Sequence, residues 1–270
     1  MTEEDVELIA LKRKIERNRG FKCELYKDKC LRRRLHVRMR ARQIDSFGAY
    51  SVLLDREPEE YDRLIDALTI NVTKFFRNRP MWESLATEVL PCVFREGTEE
   101  IRAWSAGCAS GEEPYSLAIA MREWAEREGR AAELERVRIL GTDIDRASIA
   151  AAEGAAYTEL TLEETPPILR DRWFSSGPRF ELDTAARAMV SFRRSDLLSD
   201  TPRTGQSLIL CRNVVIYFER HVQERLFELF YDSLRPGGFL VLGRVETLVG
   251  STRPRFRRVD VRERIYMKPS

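Results

Sequence analysis

From about residue 100 onward the chain alternates short apolar runs with helical stretches, and this alternation restricts the architecture more than any other feature. Residues 101–105 lead into Ala106-Gly-Cys-Ala-Ser-Gly111, after which Glu112-Glu-Pro-Tyr-Ser116 opens an apolar helix. Pro114 fits there because a first-turn residue needs no amide hydrogen bond. A second run at 137–140 ends at Gly141-Thr-Asp-Ile-Asp145, and a third at 207–211 precedes a helix over 220–234. Pro236-Gly-Gly238 turns the chain into a fourth run at 239–242, and 256–259 with 264–267 read as a closing hairpin. Strand and helix alternating at this spacing predict a parallel α/β sheet. Residues 157–190 break the rhythm with Pro166-Pro167, Gly177-Pro178 and a short strand at 179–182, which reads as a small β insertion.

The first seventy residues carry no strand pattern. Leu8, Leu11 and Ile15 recur at helical spacing, as do Leu31, Leu35 and Met39. Asp45-Ser46 and Pro58-Glu-Glu60 are helix-start signals for two further helices. The organisation expected is an all-helical domain over 1–70, an interdomain segment over 71–85, and an α/β domain over 86–270 with its insertion at about 157–190.

Charge is uneven along this frame. The chain has a net +2, but residues 1–50 carry +6 and residues 251–270 carry +5, leaving −9 for the middle. Within 27–42 there are eight Lys/Arg against one Asp, with Arg34, Arg38 and Arg42 four residues apart on one stripe. On charge alone, an anionic partner and a merely solvated arginine surface both account for this.

Several chemistries are excluded at once. Only His36 and His221 are present, so a multi-His metal site is impossible, and no GxSxG elbow accompanies either histidine. The five cysteines include no CxxC pair and read as free thiols. No apolar run approaches the ~20 residues that span a bilayer, so no membrane insertion is expected. The acidic start Met1-Thr-Glu-Glu-Asp5 lacks the layout of a signal peptide, which leads us to expect a cytoplasmic protein.

Ligands of parallel α/β sheets bind beyond the carboxyl ends of the strands. The first strand end here is neither GxGxxG nor GxxxxGK[ST], and Glu112 and Glu113 follow it at once, where they would repel a pyrophosphate. Acids there suit a cation. Asp143, at the second strand end, is placed like the acid that hydrogen-bonds ribose hydroxyls in nucleoside-cofactor folds. A ribose and a cation without a phosphate describe S-adenosylmethionine. An N-terminal cap at Glu112/Glu113 and a turn at Asp143 explain the same residues, and both readings stand on this evidence.

Longer motifs add to it. Asn71-Val-Thr-Lys-Phe-Phe-Arg-Asn78, Trp104-Ser-Ala-Gly-Cys-Ala-Ser-Gly-Glu-Glu-Pro-Tyr-Ser116, Gly141-Thr-Asp-Ile-Asp145, Cys211-Arg-Asn-Val-Val-Ile-Tyr-Phe218 and Leu234-Arg-Pro-Gly-Gly238 occur in this order over nearly the whole chain. Together they resemble the chemotaxis receptor methyltransferase family (CheR type). The resemblance implies a protein-glutamate O-methyltransferase: an all-α N-terminal domain, then a Rossmann-like class I methyltransferase domain with a small β-subdomain. It implies S-adenosylmethionine as cofactor, S-adenosylhomocysteine as product, and no metal. By motif match, Asn71, Thr73 and Arg77 touch the cofactor beside the substrate opening, Glu113 holds the methionyl ammonium, and Asp143 the ribose. Asp196 and Leu197 match a pair flanking adenine, and Arg212 and Asn213 a pair near the methionine moiety. Arg77 and Tyr217 are the expected catalytic positions. The resemblance also places Arg34, Arg38 and Arg42 on a face that docks the methylation helices of a chemoreceptor's cytoplasmic domain.

The residue inventory suits such chemistry. A glutamate carboxylate, with an ordinary pKa of about 4.3, is already ionised at neutral pH, so the reaction needs no general base. Three departures from the family pattern bear on function. Val72 stands where an acid is usual. Gly243-Arg-Val-Glu246 replaces Gly-His-Ser-Glu, so that loop is assigned no catalytic role. The segment 173–192 is short, which counts against tethering to a receptor's C-terminal pentapeptide. Two other readings are carried: a methyltransferase of the same fold acting on nucleic acid, and a non-catalytic module that binds the cofactor or the receptor. No [DN]PP[FY]-type loop for a flipped base occurs, so nucleic acid is not the expected partner.

Overall fold

The computed structural model describes residues 2–69, 72–95 and 100–270. The chain divides into two compact units, one of residues 1–71 with 217–222 and the other of residues 72–216 with 223–270.

The first unit is built on four helices, α1 (Glu3–Arg19), α2 (Asp28–Ala41), α3 (Phe47–Arg56) and α4 (Glu59–Leu68). Thr2 and Asp5 close a capping box on α1, and the Ser46 side chain accepts the Ala49 N–H at the start of α3. The expected apolar stripes Leu8/Leu11/Ile15 and Leu31/Leu35/Met39 are fully buried and meet Phe47, Tyr50, Leu54 and Leu64 in one core.

The second unit contains helices α5 (Arg79–Ser84), α6 (Leu90–Val93), α7 (Glu112–Arg127), α8 (Arg146–Gly154), α9 (Pro167–Trp173) and α10 (Thr184–Arg187). Helix α11 (Arg220–Ser233) starts in the residues grouped with the first unit and runs on into the second. The main sheet holds β1 (Ile101–Ala106), β2 (Val137–Asp143), β6 (Val190–Arg194), β7 (Gln206–Cys211), β8 (Leu234–Leu242), β9 (Arg257–Asp260) and β10 (Ile265–Met267). Their order is β6-β2-β1-β7-β8-β10-β9, parallel from β6 to β8 and antiparallel through the closing hairpin. The chain winds outward from β1 to β2 and β6, then returns to β7 and β8. The direction of winding therefore reverses between β1 and β7, the switch point where such sheets bind ligands. The central β7 is buried along its whole length, and its stretch 208–211 is accordingly an unbroken apolar run. The insertion folds as a three-stranded sheet, β3 (Ala156–Tyr157), β4 (Phe174–Ser175) and β5 (Phe180–Leu182), in the order β3-β5-β4.

Two details depart from the sequence reading. Residues 190–194, where the sequence reading placed no strand, form an edge strand of the main sheet. Pro236-Gly-Gly238 does not precede the fourth strand but lies inside β8, whose register with β7 shifts between Gln206 and Leu208. Among the described residues no helix is long and apolar enough to cross a membrane, and all five cysteines are free, Cys23, Cys108 and Cys211 buried.

Candidate cofactor site

Three strand-end loops and the segment before α5 build the site. After β1 the backbone turns through left-handed conformations at Gly107, Ala109 and Gly111, which brings the start of α7 back toward the sheet. A Cβ on Gly107 would lie 2.5 Å from a Val214 methyl, so a glycine is required where the β1 and β7 loops cross. Glu113, in the first turn of α7, is buried. Its Oε1 accepts from Ser105 Oγ at 2.8 Å and its Oε2 from Arg212 Nη1 at 3.2 Å. Burial pushes the Glu113 carboxyl up, and Arg212 and Ser105 oppose that rise. Arg212 stands at the end of β7. Its Nη2 donates to the Arg77 carbonyl at 2.7 Å, and its guanidinium lies 5.8 Å from the centre of the Trp82 ring. Trp82 Nε1 donates to the same carbonyl at 3.1 Å, so two donors fix the backbone at Arg77, while Arg77 Nη1 donates to the Val72 carbonyl.

Asp143 ends β2 and is buried. Its Oδ2 accepts the Ala109 N–H at 2.8 Å and its Oδ1 the Asp145 N–H at 3.0 Å. Burial also raises this carboxyl, against the pull of the amides. The carboxylates of Asp143 and Glu113 thus each keep acceptor capacity beyond the bonds they make, since a carboxylate offers about four acceptor positions. Asp143 can take a vicinal diol and Glu113 an ammonium. The donor set therefore fits S-adenosylmethionine.

The remaining expected positions fall as follows. Asp196 and Leu197 form a half-buried turn after β6; Asp196 Oδ1 caps the Leu198 N–H, and the Asp143 carbonyl accepts the Ser195 N–H at 2.8 Å, tying this turn to the end of β2. Asn213 follows Arg212 in a left-handed conformation, φ 62°. Thr73 is half-buried. Tyr217 ends the 3₁₀ turn Val215–Tyr217 and groups by its contacts with the helical unit, where its carbonyl accepts the Lys27 N–H at 2.8 Å. Asn71 lies outside the described residues. Among the described residues no group of three or more His, Cys, Asp or Glu side chains is arranged to hold a metal.

On α2 two of the three expected docking residues are paired with acids of the same unit. Arg38 donates through Nε and Nη2 to Glu60 Oε1 at 2.9 and 2.7 Å, and Arg42 donates to Glu60 Oε2 at 3.2 Å and to Glu57. Glu60 is fully buried and also accepts the Tyr50 hydroxyl at 2.9 Å. Arg38 and Arg42 are thus engaged inside the helical unit, and Arg34 is half-buried with its Nε shielded from solvent. The basic side chains of α2 that face solvent are Lys29, Arg33 and Arg40.

Sequence reasoning also passed over Ser105 and Trp82, and it read Glu112 only together with Glu113, as an acid facing a cation or a cap. Glu112 is almost fully buried, and the Ser110 hydroxyl is 2.9 Å from each of its oxygens. Desolvation pushes its pKa up to about 7. The folded chain therefore holds a proton that the unfolded chain releases near pH 4.5, and stability contributed by that proton is lost as pH rises toward 7. Glu112→Gln should melt like the parent at pH 4 and exceed it by roughly 2–3 kcal/mol at pH 8. Thermal melts of both chains at the two pH values check this; a difference independent of pH would refute it.

Two family models cover the chain. One described as CheR methyltransferase, SAM binding domain, matches residues 71–265, and one described as CheR methyltransferase, all-alpha domain, matches residues 7–69. A chemotaxis protein methyltransferase of Listeria innocua is 34% identical over 238 residues, covering 88% of either chain. Chemotaxis protein methyltransferase 2 of Pseudomonas aeruginosa is 36% identical over 226 residues, 80% of this chain and 77% of that one. A chemotaxis protein methyltransferase of Borreliella burgdorferi is 28% identical over 91% of this chain and 89% of its own.

Proposed function

The chain belongs to the CheR methyltransferase family, and from that membership we propose that it esterifies glutamate side chains on the cytoplasmic helices of a chemoreceptor. It is an S-adenosylmethionine-dependent methyltransferase. The observation that carries the reading is the pair of buried carboxylates, Glu113 and Asp143, with unused acceptor capacity at neighbouring strand ends. Bound there, the cofactor supplies a sulfonium methyl, which an incoming glutamate carboxylate takes up as the carbon–sulfur bond breaks and neutral thioether departs. Glu113 holds the ammonium, Asp143 the ribose, and the turn at Asp196 and Leu197 the adenine. Arg212 and Asn213 sit at the methionyl end. Arg77 steers the incoming carboxylate, whose negative charge needs no base to generate it. Charge is neutralised as the two partners react, so exclusion of water favours the step.

Receptor recognition falls to the exposed face of α2. Lys29, Arg33 and Arg40 present positive charge to solvent, and a helix rich in target glutamates is anionic. Lys29→Glu, Arg33→Glu and Arg40→Glu together should lower kcat/KM on a receptor cytoplasmic fragment by about tenfold or more at low salt, with the gap narrowing as salt screens it. Affinity for S-adenosylhomocysteine should hold. The test is transfer from methyl-labelled cofactor to purified receptor fragment, read as base-labile methyl ester. Transfer to duplex nucleic acid in place of the receptor fragment would overturn the substrate assignment.

A further inference from the structure

Glu246 lies just beyond β8, in the loop to which sequence reasoning gave no role. Its side chain is buried. A buried carboxylate is costly unless its lone pairs are filled, and here main-chain amides fill them. It accepts the N–H groups of Gly243 at 2.5 Å, Asn213 at 3.0 Å, Val214 at 2.9 Å and Ile216 at 3.4 Å. Three of the four belong to the turn after β7, the turn that begins with Arg212 and bends through the left-handed Asn213. The approach is close enough to dictate sequence: a Cβ on Gly243 would stand 2.7 Å from Glu246 Oε2 and 2.8 Å from the Asn213 nitrogen.

This clasp is not part of the sheet. Pairing of β7 with β8 ends at Cys211↔Leu242, and Glu246 joins the two loops only past that point. We infer that Glu246 is a positioning residue, fixing the 212–216 turn so that Arg212 and Asn213 meet the methionyl end of the cofactor. The inference rests on the assignment of those two residues to that end. It goes beyond it by making their placement depend on a side chain that touches neither ligand nor reacting atoms.

Two ligands separate a positioning role from a general one. S-adenosylhomocysteine carries the amino-acid end, whereas 5′-methylthioadenosine has the adenosine and thioether without it. In Glu246→Gln, an amide N–H replaces one acceptor in a row of N–H donors, so the turn should loosen. Calorimetry on the full chain should show affinity for S-adenosylhomocysteine falling about tenfold, the worth of one or two hydrogen bonds, and affinity for 5′-methylthioadenosine unchanged within about twofold. Gly243→Ala, which displaces the same carboxylate from the other side, should repeat this pattern. Equal loss for both ligands, no loss for either, or failure of both variants to fold would overturn the inference. Arg212→Ala is the control. If it leaves S-adenosylhomocysteine affinity intact, the assignment of Arg212 fails, and not the clasp alone.

Discussion

Arg38→Glu should unfold the helical unit. Two guanidinium nitrogens of Arg38 converge on one oxygen of Glu60, a carboxylate with no exposure to solvent. Tyr50 and Arg42 supply the remaining donors. Removing one partner of a buried ion pair costs about 3–5 kcal/mol, because water cannot replace the lost compensation; here Arg42 stays on the other oxygen, so Oε1 of Glu60 bears the loss. Reversal adds a like charge at the same distance. A domain of about 70 residues holds only some 5 kcal/mol in total. The variant chain should therefore lose helical circular dichroism at ambient temperature and become protease-sensitive before residue 70. Arg33→Glu, on the exposed face of the same helix, should melt within about 2 °C of the parent. The paired replacement Arg38→Met with Glu60→Leu should regain much of the stability, since well-packed apolar side chains often substitute for a buried ion pair. If Arg38→Glu melts like Arg33→Glu, the clasp on Glu60 is not what holds α2 to α4. The comparison also matters for activity: a loss of methyl transfer in Arg38→Glu would report unfolding, whereas a loss in Arg33→Glu would report docking.

Arg38 shows where sequence stops being informative. Spacing of four residues puts Arg34, Arg38 and Arg42 on one side of a helix, but it does not say whether that side meets water or another helix. The deciding partner, Glu60, is 22 residues away from Arg38. It reads in sequence as an acid suited to the first turn of a helix, where a negative charge is welcome. Its burial comes from the packing of α2 and α3 against α4. Glu246 is a similar case, since its four donors are main-chain groups that any sequence would provide. By contrast β1, β2 and β7 were legible because strands covered on both faces are largely apolar, and because small residues and acids punctuate the ends of β1 and β2. The edge strand β6 was not. Its side chains are half-buried or exposed, and it follows the insertion with no turn signal to separate the two.

Glu113→Ala and Asp143→Ala should both lose affinity for S-adenosylhomocysteine, but in different ways that identify their ligands. Each removes a charge-assisted hydrogen bond worth roughly 1.5–3 kcal/mol, or about 10- to 150-fold in Kd. Glu113→Ala should sit at the upper end of that range. It takes away the ammonium's acceptor and also leaves Arg212 buried beside a cavity, with its Nε already lacking a partner. Because the ammonium belongs to the amino-acid end, Glu113→Ala should leave 5′-methylthioadenosine binding nearly unchanged. Asp143→Ala should weaken both ligands alike, since both carry the ribose. Acidity offers an independent reading. Both carboxyls are raised above their ordinary values by burial, and only the ionised forms serve as acceptors without a competing proton. Affinity in the parent should fall as pH drops through those raised values, at higher pH than an exposed carboxylate would require. In Glu113→Ala the acid-side fall for 5′-methylthioadenosine should persist, carried by Asp143 alone. Loss of that fall in Glu113→Ala, or equal losses for the two ligands in that variant, would mean that Glu113 serves the nucleoside and not the ammonium.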